Sequence, residues 1–282
     1  MVKYCDLHTH SLYSDGTCSP RELIHLAEEK GLAALVLSDH NTVAGLPEFL
    51  EAARHSPVEA VPGIEFSTEY GGTELHILGL FLQPEFYGAI GERLDALLEA
   101  KDRSNRQLVQ ALNGIGLPLD YDAIKERTAG GQVNRAVIGA EIVRLGYADS
   151  VKDAFCRYLF VGCGYYRPPR RPDTLETLGF IKSIGAVAVL AHPFLNLKTE
   201  DRLRSFLKEG VEAGLSGMEV QYPLFDEQTR ILAKNIADEF GLLPSGGSDF
   251  HGENKPGICL GTGKGDLRVP AEYLENLKKC RS

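Results

Sequence analysis

The chain has 282 residues, 43% of them hydrophobic, and a formal charge of −9, enough apolar material for one large core or a core with an insertion, and too much for a disordered chain. No apolar run approaches the ~20 residues of a membrane span, and no basic-then-apolar stretch opens the chain, so a soluble cytoplasmic protein without membrane contact is expected. The acidic balance argues against binding long nucleic acids, and six cysteines without a CxxC pair (Cys5, Cys18, Cys156, Cys163, Cys259, Cys280) are expected as reduced thiols.

Tyr4-Cys5-Asp6-Leu7-His8-Thr9-His10 is a short extended run that ends in two histidines at i and i+2, whose imidazoles project to one side and can reach one ion. Asp15 follows in an Asp-Gly turn. Ser19-Pro20-Arg21-Glu22 carries the cap, the first-turn proline and the reciprocal glutamate of a capping box, with Gly31 as the stop. Leu32 to Leu37 reads as a buried strand tipped by Ser38-Asp39-His40, Gly45 to Ala53 as a helix, and Val58 to Ile64 as a strand that delivers Glu65 at its end. Glu74 to Leu80 is a short strand pattern containing His76.

From Pro84 to Pro172 the alternation stops and the pattern is helical: a long segment through Leu112, then Tyr121 to Arg127, Arg135 to Leu145 and Ser150 to Tyr158, closed by the Tyr165 to Pro172 loop. Residues 84–172 are thus expected as an inserted helical subdomain, with 1–83 and 173–282 forming the main domain. The stretch from Lys101 to Arg171 holds twelve Lys and Arg against seven Asp and Glu, while the remainder is strongly acidic; a basic insertion facing an anionic substrate would account for that split. Alternation resumes with a helix from Thr174, the strand Ala186 to Ala191 ending in His192-Pro193, a helix capped by Thr199, the strand Met218 to Gln221, a helix from Asp226 to Phe240, and Leu242 to Gly247 leading into Ser248-Asp249-Phe250-His251. Strands alternating with helices imply an α/β fold with a parallel sheet, and about seven such units suggest a closed or nearly closed barrel whose chemistry gathers at the carboxyl ends of its strands.

Six of the eight histidines lie in these motifs; only His25 and His55 fall outside. With the carboxylates, His8, His10, Asp15, His40, Glu65, His76, His192, Asp249 and His251 make nine candidate metal ligands, too many for one ion and suited to two or three. Nitrogen and oxygen donors without cysteine favour Mn2+, with Fe2+ or catalytic Zn2+ possible, and neighbouring cations of this kind can share a hydroxide and clamp a phosphoryl group. Asp39 is expected to orient a neighbouring group, and Glu74 and Glu219 to be solvated or supporting.

Asp6-Leu7-His8-Thr9-His10, Ser14-Asp15-Gly16, Ser38-Asp39-His40-Asn41-Thr42, Pro62-Gly63-Ile64-Glu65, the His76 strand, Ala191-His192-Pro193 and Gly247-Ser248-Asp249-Phe250-His251 together resemble the motifs of the polymerase and histidinol phosphatase (PHP) family of metal-dependent phosphoesterases. The resemblance implies a distorted seven-stranded (β/α)7 TIM-like barrel with a trinuclear site. His8, His10, Glu65 and Asp249 would hold one metal, a bridging Glu65 with His76 and His192 the second, and Asp15, His40 and His251 the third; Asp249, Glu65 and His192 would carry catalysis. The insertion resembles that of the subgroup of nucleoside 3',5'-bisphosphate phosphatases and short-RNA exonucleases, where it caps the barrel mouth and supplies a substrate-binding arginine. Arg135 matches that arginine, but Ala136 and Val137 follow it where the family's Arg-Pro-His or Arg-Thr-His run has Pro-His or Thr-His, so its histidine is missing. Arg103 and Arg106 are further candidates for phosphate binding, and Tyr165, Tyr166 and Phe160 for stacking on a base.

The implied activity is hydrolysis of a small, multiply phosphorylated substrate, foremost the 3'-phosphate of a nucleoside 3',5'-bisphosphate. The alternatives are a cyclic sugar phosphate such as 5-phosphoribosyl 1,2-cyclic phosphate, a short RNA attacked from its 5' end, or a non-catalytic binding module. No protein partner is implied.

Overall fold

The computed structural model describes residues 3–128 and 133–281. Its strands are β1 (Tyr4–Asp6), β2 (Ala34–Leu37), β3 (Glu59–Tyr70), β4 (Thr73–Leu80), β5 (Val187–Leu190), β6 (Leu215–Gln221), β7 (Leu243–Gly246) and β8 (Val269–Pro270), in the sheet order β7-β6-β5-β4-β3-β2-β1-β8. Beyond the tips of β7 and β1 the chain closes on itself. Leu7 N–H donates to Gly246 O at 3.2 Å, Asp249 N–H donates to His8 O at 2.9 Å, and Thr9 bridges Phe250 in parallel. The first seven strands therefore form a nearly closed barrel, while β8 pairs antiparallel with β1.

One strand departs from the parallel arrangement expected. β3 runs on past Glu65 to Tyr70 and folds back as a hairpin, so β4 pairs antiparallel with both β3 and β5. The cause is Gly71-Gly72, at φ 53° and 74°, a two-residue turn at positive φ that matches the twist of a hairpin. Glu65 consequently sits inside a strand rather than at its end.

The helices follow local signals. α1 (Pro20–Glu29) has both arms of its capping box. α2 (Leu46–Ala52), α7 (Thr174–Ser183), α9 (Glu200–Ala213) and α10 (Glu227–Glu239) cover the outside of the sheet, with Asp173, Thr199 and Asp226 as side-chain caps for the last three. α8 (Pro193–Asn196) is a single turn, and α11 (Ala271–Lys278) closes the base of the barrel with Leu274 and Leu277 against Cys5, Val187 and Val269. Outward strand residues such as Leu35, Ile64, Ile77 and Met218 pack beneath the helices, while Val36, Val61, Leu78 and Val189 fill the interior.

Between β4 and α7 the chain is helical: α3 (Tyr87–Gly114), α4 (Tyr121–Arg127), α5 (Arg135–Arg144) and α6 (Val151–Ala154), which runs into a π-turn over Phe155–Leu159. α3 has a foot in each core. Ile90, Leu94 and Leu97 pack in the layer outside the barrel, whereas Leu108, Val109 and Leu112 join Ile124, Ile138 and Ile142 in a separate cluster. Among the described residues, no helix is long and apolar enough to cross a membrane.

The approach of the β7 tip to β1 leaves no room for a side chain at Gly247, where a Cβ would lie 2.4 Å from His8 Cβ and 2.5 Å from His8 N. Gly247→Ala is expected to destabilise the fold by about 1–3 kcal/mol and to displace His8. Urea denaturation measures the first effect, and a midpoint matching that of the wild type would refute the close contact.

Candidate metal centre

The cluster is built on Glu65, which is wholly buried. Its Oε2 lies 3.1 Å from His8 Nε2, His10 Nε2 and His40 Nδ1 alike. Its Oε1 lies 2.8 Å from His76 Nδ1 and 3.1 Å from His192 Nε2. Further out, Asp249 Oδ1 is 3.3 Å from His10 Nε2 and from His251 Nδ1, and Asp15 Oδ1 is 3.2 Å from His251 Nε2. All nine candidate ligands fall in this one assembly. Their donor atoms form four overlapping groups, each within 4.8 Å: His10, Asp15, His40 and His251; His8, His10 and Asp249; His8, Glu65 and His192; His40, Glu65 and His76.

The proton inventory of the imidazoles shows that the donor set suits cations. A neutral imidazole has one N–H. His8 directs Nδ1 to Glu219 Oε1 at 3.0 Å, His76 directs Nε2 to Glu74 Oε1 at 3.2 Å, His192 directs Nδ1 to Asn196 Oδ1 at 3.1 Å, and His251 directs Nδ1 to the Asp249 carbonyl at 2.9 Å. With the proton spent on these outer partners, the inner nitrogens turn lone pairs toward the oxygens of Glu65 and Asp15. His8 Nε2 and His10 Nε2 also face each other at 3.0 Å, and among the described residues buried His10 Nδ1 has no hydrogen-bond partner. Lone pairs and carboxylates converging at these distances repel unless positive charge lies among them, which is the requirement divalent cations meet.

The same demand appears in the pKa directions. Burial disfavours a charged imidazole, yet Glu65, Glu219 and Asp249 outweigh it at His8 and hold its pKa well above the ordinary range. Against the same burial, Asp249 and Glu65 bring His10 to about 9, and Glu65 and Glu74 bring His76 to about 10. At His40 burial wins and the value falls to about 3. Sites that attract protons this strongly exchange them for metal.

Local structure aims these groups. His192 at φ 29° and Asp249 at φ 51° occupy left-handed backbone that side-chain-bearing residues seldom adopt, as does Asn41 beside His40 at φ 51°. Asp39 accepts from Ser11 N at 2.7 Å, Ser11 Oγ at 2.6 Å and Ser14 Oγ at 2.7 Å, fixing the loop that carries Asp15. Asp6 does the same for the Asp249 loop, accepting from Ser248 N at 2.8 Å and Gly261 N at 2.7 Å. Of the two roles expected for Glu219, solvated or supporting, the structure shows the supporting one. Glu219 is fully buried, holds His8 Nδ1, and accepts from His192 N at 2.6 Å. Its signal was a carboxylate alternating with Met218 and Val220 on a buried strand, which turns it to the interior.

The helical insertion meets the cluster through Asn134. Its Oδ1 caps α5 by accepting from Val137 N at 2.9 Å, and its Nδ2 donates to Asp15 Oδ2 at 3.1 Å. Arg135, next in sequence, lines a cavity of about 230 Å3 together with Asp15, His40 and His76 on the cluster side and Lys101 and Arg171 on the helical side. Its guanidinium lies over the Tyr166 ring at 4.3 Å and donates to Leu159 O at 3.3 Å. A cation in the first turn of a helix adds to the positive end of the helix dipole, so this corner favours an anion. Burial lowers the pKa of Lys101; Asp15 and Glu74 oppose that effect, and the guanidiniums of Arg171 and Arg135 reinforce it.

Arg103 and Arg106 do not reach this cavity. Lys101, Asn105 and Leu97 share the cavity-facing stripe of α3, and Arg103 and Arg106 lie roughly 200° and 140° round the helix from Lys101. Arg103 pairs with Glu99 at 3.4 Å; Arg106 pairs with Asp102 at 3.0 Å and Asp122 at 2.9 Å and stacks on Tyr121. The stacking candidates also move. Phe160 is 63% exposed, Tyr165 packs against the insertion's apolar cluster, and Tyr166 is buried beneath Arg135. Lys101, Arg171, Asn196, Tyr222 and Lys255 are the cavity residues that sequence reasoning missed. Arg171 alone had a signal, in the arginine-rich loop before Pro172.

A barrel that gathers imidazoles and carboxylates at one mouth defines the class as a metal-dependent hydrolase. The PHP domain signature matches residues 6–117. A 5'-3' exoribonuclease from Haemophilus influenzae is 32% identical over 89% of this chain and 91% of its own length. A 3',5'-nucleoside bisphosphate phosphatase from Chromobacterium violaceum is 29% identical over 91% and 90%, and a phosphoribosyl 1,2-cyclic phosphate 1,2-diphosphodiesterase from Eggerthella lenta is 28% identical over 88% and 94%. A crystal structure assigned as a metal-dependent phosphoesterase, from Bifidobacterium adolescentis, superposes with a TM-score of 0.88 at 26% identity, covering 99% of this chain and 97% of that one. The chain belongs to the PHP family of metal-dependent phosphoesterases.

Because Glu219 holds the His8 imidazole and the backbone N–H of His192 from behind, Glu219→Ala is expected to weaken metal binding by about 10- to 100-fold. Competition with a chromogenic chelator reads this directly, and an affinity within twofold of the wild type would remove Glu219 from that role.

Proposed function

We propose that this phosphoesterase removes the 3'-phosphate from a nucleoside 3',5'-bisphosphate, using two or three divalent cations, foremost Mn2+. The observation that carries the reading is the cavity itself. Asp15, His40 and His76 form one wall, and Lys101 and Arg135 stand on the other beside Arg171, whose guanidinium pairs with Glu74 at 2.7 Å, so a molecule lying across it meets cation-binding groups at one end and side-chain cations at the other. Two phosphates joined by a ribose fit that division of charge.

His8, His10, Glu65 and Asp249 would hold one cation, Glu65, His76 and His192 a second, and Asp15, His40 and His251 a third. When bound, the cations supply a nucleophile at neutral pH and offset charge growing on phosphorus. The chain's own part is to hold and orient. Glu65 would serve two of these sites, meeting His8, His10 and His40 through Oε2 and His76 and His192 through Oε1; His192 and Asp249 are fixed by strained backbone, and Asn134 ties Asp15 to the helix that presents Arg135. Arg135 offers a planar donor pair to the distal phosphate, with its ring partner Tyr166 restricting its motion.

A second reading, a short 5'-phosphorylated RNA, is favoured by a second opening that shares Asp15, His40, His76 and Arg135 with the first cavity. This cavity of about 430 Å3 runs on from the shared wall along His192, Leu195, Asn196, Tyr222, Asn254 and Lys255, with room for the nucleotides beyond the scissile phosphate. The same distal phosphate contacts would serve both substrates. The cyclic ribose phosphate needs neither this second opening nor an apolar surface for a base.

Arg135→Ala is expected to lower kcat/KM for adenosine 3',5'-bisphosphate by roughly 10- to 150-fold, the loss of about 1.5–3 kcal/mol of charge-assisted hydrogen bonding. On p-nitrophenyl phosphate, which lacks a distal phosphate, the same variant should change little; an equal loss on both substrates would contradict distal anchoring. Side-by-side kcat/KM values for the bisphosphate, a 5'-phosphorylated trinucleotide and 5-phosphoribosyl 1,2-cyclic phosphate rank the substrates, and a tenfold preference for the cyclic diester would overturn the proposal. Elemental analysis after Mn2+-supplemented expression should find two to three equivalents of metal, and one or fewer would reject the multinuclear site.

A further inference from the structure

The two oxygens of Asp249 face different neighbours. Oδ1 looks into the cluster, toward His10, His251 and, at 3.7 Å, His8 Nε2. Oδ2 looks away from it, accepting from the Tyr222 hydroxyl at 2.7 Å and from the ammonium of Lys255. Lys255 also donates to Tyr222 Oη at 3.1 Å and lies 5.5 Å from the centre of its ring. Tyr222 is 1% exposed, whereas the Lys255 side chain is 31% exposed and lines the larger cavity. With its backbone pinned at φ 51° and its N–H bonded to His8 O, Asp249 has little freedom to turn Oδ2 inward while these two donors are in place.

We infer that Lys255, with Tyr222, is a positioning residue that keeps Asp249 a one-oxygen ligand. The inference rests on the metal-binding reading of the cluster. A carboxylate with both oxygens available can take a hard cation with either one or two; with Oδ2 capped, Asp249 has only Oδ1 to give, and a position stays open for substrate, as hydrolytic metal sites require. The ammonium is also a like charge close to the bound cations and opposes their binding. Lys255 therefore favours turnover at the expense of metal affinity. That sign separates it from a residue that merely supports the fold, whose loss would weaken both.

The test titrates Mn2+ into metal-stripped wild type, Lys255→Met, Lys255→Arg and Tyr222→Phe, and measures kcat and KM on p-nitrophenyl phosphate for each. Lys255→Met should bind Mn2+ about 3- to 10-fold more tightly while kcat falls roughly 10- to 100-fold and KM stays within about threefold. Lys255→Arg should keep wild-type affinity and most of kcat, and Tyr222→Phe should shift both quantities in the same directions as Lys255→Met but by less. Weaker Mn2+ binding by Lys255→Met, or an unchanged kcat, would overturn the inference. Were Lys255→Met to melt well below the wild type, the Tyr222→Phe pair of measurements decides by the same signs. Wild-type protein that binds no Mn2+ would instead overturn the metal reading, a failure visible before any variant is compared.

Discussion

Everything at the barrel mouth depends on one buried carboxylate. Glu65 meets five imidazoles, those of His8, His10, His40, His76 and His192, through two oxygens. A lone carboxylate in that position would cost several kcal/mol in lost hydration. It is tolerable only because the surrounding elements all converge on it: the tips of β1, β2 and β5 from three sides, and β4 through the hairpin that β3 makes beyond Glu65 itself. The hairpin brings His76 back to within 2.8 Å of Glu65, so the departure from an all-parallel barrel is part of how the site is assembled.

Charge is divided across the active cavity. The barrel contributes Glu65, Asp15, Asp249, Glu74 and Glu219, and the helical segment contributes Lys101 and Arg135, with Arg171 on the returning loop. Arg171 pairs with Glu74 at 2.7 Å across that divide. Asn134 joins the two halves with a single side chain, one end capping α5 and the other donating to Asp15. The outer partners of the imidazoles act in the complementary sense, since Glu219, Glu74 and Asn196 take up the ring protons and the cluster then presents lone pairs inward.

The clustering of the candidate ligands was legible because all but Asp15, which sits in a turn, are chemistry-bearing residues placed just after, or within, an apolar strand-sized run, and such positions in an alternating chain share one end of the barrel. The helices were legible for equally local reasons, as with the Ser19 capping box or the Asp226 cap. Charge on α3 was not. Arg103 and Arg106 have the chemistry of phosphate ligands, yet helical phase turns Lys101 to the cavity and leaves the two arginines paired on the surface. For Glu219, alternation with Met218 and Val220 marks a face opposite theirs, but only barrel closure shows that this face looks into a polar mouth. The aromatic residues at 160, 165 and 166 could not be sorted either, since their packing depends on where α5 and the π-turn meet.

The sequence by itself determined the family, the barrel class and the nine candidate ligands, because those depend on residue type and on short-range spacing relative to strand ends. Only the tertiary structure decided which oxygen of Glu65 each imidazole meets, which cations face the cavity, and that Asp249 is held by Tyr222 and Lys255 from behind. Those contacts join segments far apart in the chain, and their geometry is set by barrel closure, by the phase of α3 and by three left-handed residues, none of which is encoded in any one stretch of sequence.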